Sequence, residues 1–81
     1  MSNDIINHPD HYMSANGMLE TIDVIDAFTD GLNGFEAVCT GNIIKYICRW
    51  PHKGGVQDLE KAQWYLNRLI AHMKEKENND E

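Results

Sequence analysis

Lys45, Arg49 and Lys53 recur at intervals of four. That spacing puts the first two on one face of any helix that contains them, with the third just beyond Pro51. Residues 45–61 hold four Lys+Arg and two acids, a net of +2; the remaining residues hold three Lys+Arg and 11 acids, a net of −8. Positive charge is therefore focused on one patch of an acidic chain. A focused cationic patch suits a small phosphate-bearing ligand, whose oxygens Lys and Arg can neutralise and, for Arg, grip through two N–H groups. The same residues also fit a plainer reading, in which they pair with acids and complement the negative end of a helix.

A second group is His8-Pro9-Asp10-His11-Tyr12. Two imidazoles and a phenol in a polar arm can hydrogen-bond phosphate or ribose and stack a base. His8 and His11 could also begin a metal site, but spacing supplies no third and fourth ligand. The alternative is an arm anchored on the helices through Tyr12. Gly41-Asn42 interrupts an otherwise strong helical pattern, and glycine there costs about 1 kcal/mol relative to alanine. That cost points to close approach of a second helix or of a ligand. Asn42 lies three residues before Lys45, so both can reach one ligand, or the amide can be satisfied within the core. Glu20, Asp23, Asp26 and Asp30 read as a solvated acidic edge; a Mg²⁺ site of paired carboxylates would need a second acidic motif that is missing. No G-x-x-x-x-G-K-[ST] loop, G-x-S-x-G motif or Cys-His metal motif is present in the sequence.

The elements that carry these residues follow from apolar spacing. Ile22, Ile25 and Phe28 predict a first helix over about 20–31, with Glu20 and Asp23 at its positive end and Gly31 just past its end. Phe35, Val38, Cys39, Ile43, Tyr46, Ile47 and Trp50 predict a second over about 35–50, stopped by Pro51. Leu59, Ala62, Leu66, Leu69 and Met73 step by three and four, a heptad seam widened by Ile70, and predict a third over about 58–76 with Asp58 as cap or first-turn residue. The expected class is all-α: an ordered N-terminal arm over 1–19, a helical domain over 20–76 and a disordered tail over 77–81.

With 81 residues, 42% of them hydrophobic and 25% charged, the chain has the composition of one globular domain. A net charge of −6 argues against general nucleic-acid binding, which needs many phosphate contacts. No window approaches a membrane span, and residues 1–7 lack the features of a signal peptide. Cys39 and Cys48 would lie about 13 Å apart along one helix, too far to bridge, and are expected as buried free thiols in a reducing, cytoplasmic setting. A chain this short buries a thin core. Its surplus of apolar helix surface, with Trp64 and Tyr65 as exposed aromatics beside the seam, predicts a homo-oligomer.

Taken together, the motifs resemble a short domain-of-unknown-function family widespread in tailed bacteriophages and labelled nucleotide-kinase-like. The matching residues are His8-Pro9-Asp10-His11-Tyr12, Glu20-Thr21-Ile22-Asp23, Gly41-Asn42-Ile43-Ile44-Lys45-Tyr46-Ile47-Cys48-Arg49, Lys53-Gly54-Gly55 and Asp58-Leu59-Glu60-Lys61-Ala62-Gln63-Trp64-Tyr65-Leu66. Five motifs in order span residues 7–70. The resemblance implies a nucleotide-type ligand and a bacterial host cell.

The expectation is a nucleotide- or phosphate-binding protein whose pocket, between subunits, is lined by His8, His11, Tyr12, Asn42, Lys45, Arg49, Lys53 and Lys61. Lys45, Arg49 and Lys53 would hold phosphates, and Tyr12 or Trp50 would stack the base. Sequestration of a nucleotide immune signal is a role by analogy with other small oligomeric phage sponges. One alternative is a nucleoside-monophosphate kinase-like enzyme or accessory subunit, with His8 or His11 as proton acceptor. Another is a module that binds a host protein. No resident cofactor, metal or catalytic residue is assigned.

Overall fold

The computed structural model describes residues 19–79. Among them, regular structure consists of three helices: α1 (Thr21–Thr29), α2 (Gly34–Arg49) and α3 (Gly55–Asn79). The all-helical expectation holds for these residues. The expected arm lies almost wholly outside them.

Each helix end has a local cause. α1 stops after Thr29, whose hydroxyl donates back to the Ile25 carbonyl at 2.7 Å. Gly31 then takes φ +84°, a left-handed conformation that a side chain disfavours. Gly31 thus lies past the helix end, as expected, and α1 is shorter than the expected range of about 20–31. The Asn33 side chain caps α2 by accepting the Glu36 N–H at 3.0 Å, occupying one of the four N–H groups a helix start leaves unpaired. α2 ends as expected before Pro51.

The turn that follows is tight. The His52 and Lys53 N–H groups both donate to the Arg49 carbonyl, at 3.1 and 3.0 Å, and the Gly55 N–H donates to the Trp50 carbonyl at 2.9 Å. Gly55 sits at φ +54°. α3 therefore starts at Gly55, three residues before the expected boundary, and runs three residues past 76, so residues 77–79 are helical rather than part of a disordered tail.

α2 packs against both α1 and α3, while α1 and α3 do not pack on each other. The helices form a single layer, and the shortest dimension is 18 Å. A layer one helix thick cannot enclose a large core. Cys39 and Ala62, at 2% and 5% exposure, are the buried apolar residues among those described. Gly41 makes the α1–α2 approach possible: a Cβ there would lie 3.2 Å from Ile25 Cγ2. Of the two sequence readings for this glycine, helix packing is the one the geometry meets. Cys39 is a buried free thiol as expected, whereas Cys48 is exposed. Cys48, seven residues after Gly41, falls on the α1 side of α2, where the nine-residue α1 is too short to cover the whole 16-residue helix.

Candidate functional site

The cations of the sequence patch converge on one aromatic ring. Tyr46 projects from α2 with Lys45 Nζ 4.6 Å from its ring centroid, the Arg49 guanidinium carbon at 5.3 Å, and Lys61 Nζ, from α3, at 5.5 Å. The electron-rich face of a phenol ring attracts cations at these distances. It attracts three like charges from two helices to one ring. Tyr46 is in turn stacked on Tyr65 of α3, with centroids 6.2 Å apart and planes 20° apart. Trp64 meets Tyr65 edge-on at 5.0 Å.

The cationic surface continues along α3. Arg68 lies over the Trp64 ring at 5.2 Å and the Phe35 ring at 5.9 Å. Trp64 and Arg68 are four residues apart, so the helix itself brings them together. The result is one face of the α2–α3 pair on which Lys45, Arg49, Lys61 and Arg68 alternate with Tyr46, Trp64 and Tyr65.

Arg49 is fixed from behind. Its Nε donates to Asp58 Oδ2 at 2.8 Å, and Asp58 is 1% exposed. The Arg49 hydrogen bond holds the Asp58 carboxyl below its ordinary range, against the upward push of burial; the charges of Arg49 and Lys61 and a hydrogen bond from the Gly54 backbone act in the same direction as Arg49. Gly54 leaves room for this carboxylate, since a Cβ at that position would overlap it. Asp58 is in the first turn of α3, as expected, but its carboxylate turns inward to Arg49. The ion-pairing alternative for Arg49 is thus met. The pairing also orients the guanidinium toward Tyr46.

A second polar cluster closes the other end of the helix pair. Lys76 Nζ donates to Glu36 Oε2 at 2.9 Å, and His72 Nε2 lies 3.6 Å from the same oxygen. The His72 ring packs on Phe35 at 4.7 Å. The Lys76 hydrogen bond holds the Glu36 carboxyl below its ordinary range, against desolvation. These contacts pin the last turns of α3 to the first turn of α2.

Of the residues singled out by spacing, Lys45, Arg49 and Lys61 are brought together. Lys53 sits in the turn after α2. The Asn42 amide donates to the Val38 carbonyl of its own helix at 2.9 Å, one turn back. His8, His11 and Tyr12 lie outside the described residues. Tyr65, expected to be exposed, is partly covered because it stacks on Tyr46, whereas Trp64 is 54% exposed. Spacing missed Tyr46 and Arg68 as members of this surface. The i, i+4 relation of Trp64 and Arg68 was available in the sequence, but the pairing of Tyr46 with Lys61 needed the register of α2 against α3. Among the described residues, no three His, Cys, Asp or Glu side chains converge as metal ligands, and no helix is long and apolar enough to cross a membrane.

The fold and this surface define a small helical protein with a cation–aromatic face. The chain belongs to the family described as protein of unknown function (DUF3310), whose profile matches residues 6–67. Comparison with curated proteins and with solved structures finds no match.

Proposed function

We propose that this protein binds a phosphate-bearing ligand of nucleotide type on the face built by Lys45, Tyr46, Arg49 and Lys61. The observation that carries the reading is the gathering of three cations from two helices around one ring. Phosphate oxygens would lie among the ammonium and guanidinium groups, and a base would stack on the exposed indole of Trp64 beside them. Asp58 holds Arg49 in place, so the guanidinium loses less freedom when it meets an anion. The acidic remainder of the chain repels long polyanions, which favours a small ligand over a nucleic-acid strand.

Binding without turnover is the form of this activity we favour, because the face offers charge neutralisation and stacking. The resemblance of the sequence motifs to a family widespread in tailed bacteriophages is what suggests a phage setting in the bacterial cytoplasm. There, a small nucleotide-binding protein could act by withholding a nucleotide signal from host defence. His8, His11, Tyr12 and Lys53 complete the proposed ligand set.

The test is incubation of the purified full chain with a panel of mono-, di- and cyclic nucleotides, then denaturation and chromatography of the bound fraction. Recovery of intact nucleotide, with at least tenfold weaker retention by Lys45→Ala and Lys61→Ala, supports the reading. Conversion of a monophosphate in the presence of ATP refutes simple binding in favour of phosphoryl transfer. Retention of no nucleotide refutes both.

A further inference from the structure

The α2–α3 pair has a second face, unlike the first. On α3, the side chains that meet α2 include Asp58, Tyr65, His72 and Lys76. Leu66, Ile70 and Met73 each follow the row facing α2 by one residue, so they lie about 100° round the helix from it. Ile70 is roughly 160° from Arg68, which puts this stripe on the side away from the cation–aromatic face. Ile47 of α2 is likewise roughly 160° from Arg49, on that same far side. Leu66, Ile70, Met73 and Ile47 are 43, 44, 37 and 48% exposed.

The stripe has a register. Leu59, Gln63, Leu66, Ile70, Met73 and Glu77 step by 4, 3, 4, 3, 4, a heptad spacing beside the row that α2 uses, apolar at four of its six positions. Its centre is Leu66 and Ile70. Glu60 and Lys74, both exposed, follow the first and the last apolar residues of the stripe, Leu59 and Met73, by one position each.

We propose that a second copy of this chain covers this face, with the two α3 helices antiparallel. Leu66 of one copy then packs against Ile70 of the other. Glu60 of each copy faces Lys74 of the other, so two opposite-charge pairs flank the apolar centre. A parallel pairing would set Glu60 against Glu60 and Lys74 against Lys74. The charge pattern therefore complements itself in one orientation, which is the reason to name a second copy as the occupant. Two helix hairpins joined this way make a four-helix bundle, the usual remedy for a layer one helix thick. Both cation–aromatic faces point outward from the dimer. This arrangement places each ligand face within one chain rather than between subunits, and it stands whether or not the ligand reading holds.

The experiment is sedimentation equilibrium of the ligand-free full chain over a concentration series, with circular dichroism to follow helix content. A dimer with Kd on the order of 10 µM is expected for a contact at the small end of stable interfaces. Ile70→Glu should raise Kd at least 100-fold. Glu60→Lys and Lys74→Glu should each raise it about tenfold, and the double reversal should return it to within about threefold of the original. Rescue by the double reversal supports the antiparallel register directly, with no dependence on variants that may lose their fold. A chain that stays monomeric at every concentration overturns the proposal and leaves this face to a different partner. A dimer indifferent to all four variants overturns it by placing the interface elsewhere.

Discussion

Replacing Tyr46 with leucine removes the ring while keeping most of the apolar volume. Three cation–ring contacts are lost, at 4.6, 5.3 and 5.5 Å. At partly exposed sites each contributes about 0.5–1 kcal/mol. The stack on Tyr65 goes as well, and an aromatic pair adds about 0.5–1.5 kcal/mol beyond its area. The full sum overstates the effect, because the three cations repel one another and part of their attraction to the ring offsets that repulsion. A loss of about 2 kcal/mol is the expectation. For a domain of this size the urea dependence is about 1 kcal/mol per M, so the midpoint should fall by about 2 M. Tyr46→Phe keeps the ring and should shift the midpoint by less than about 0.5 M. The assay is urea unfolding followed by circular dichroism at 222 nm in low salt. A leucine variant as stable as the original would refute the view that the ring gathers the cations. A phenylalanine variant as damaged as leucine would show that the hydroxyl, not the ring face, does the holding.

Acid should loosen the helix pair at both ends. The carboxyls of Asp58 and Glu36 are held below their ordinary values by Arg49 and Lys76. A depressed carboxyl contributes stability that is present above its unfolded pKa and is lost as pH falls through its folded pKa. Stability should therefore be flat from neutral pH to about pH 5 and fall below about pH 4, read as the urea midpoint across a pH series; a midpoint that rises on acidification would contradict both pairings. At Gly41, alanine gains about 1 kcal/mol of helix propensity but must move Ile25 Cγ2 by a few tenths of an ångström. Because α1 is short and packs on α2 alone, it can shift, so Gly41→Ala should change stability by less than about 1 kcal/mol, while Gly41→Val should cost about 2 kcal/mol or more by thermal unfolding. Equal stability of the two variants would show that α1 does not approach α2 at this residue.

The apolar spacing located all three helices, and local punctuation fixed most of their ends. Gly31 and Pro51 act through backbone geometry alone, so they are legible without a partner element. α3 starts three residues before Asp58, although Asp58 has the chemistry of a cap. Its carboxylate is drawn instead to Arg49, nine residues earlier, and the helix begins at a glycine of positive φ. Cys48 is exposed, against expectation, because the pattern of one helix does not say how much of its length a neighbour covers.

Sequence by itself determined the helical class, the concentration of positive charge between residues 45 and 61, and the presence of more apolar surface than one thin layer can cover. These follow from periodicity and composition, which are properties of the chain read in order. Only the tertiary structure decided which cations meet. Lys61 reaches Tyr46 because α3 lies alongside α2 in one register, whereas Lys53 lies in the turn after α2 and the Asn42 amide bonds back to its own helix. Tertiary structure also separated the two faces of the α2–α3 pair, cation–aromatic on one side and apolar on the other. Contacts between elements depend on packing direction and register, and neither is written in the spacing of a single helix.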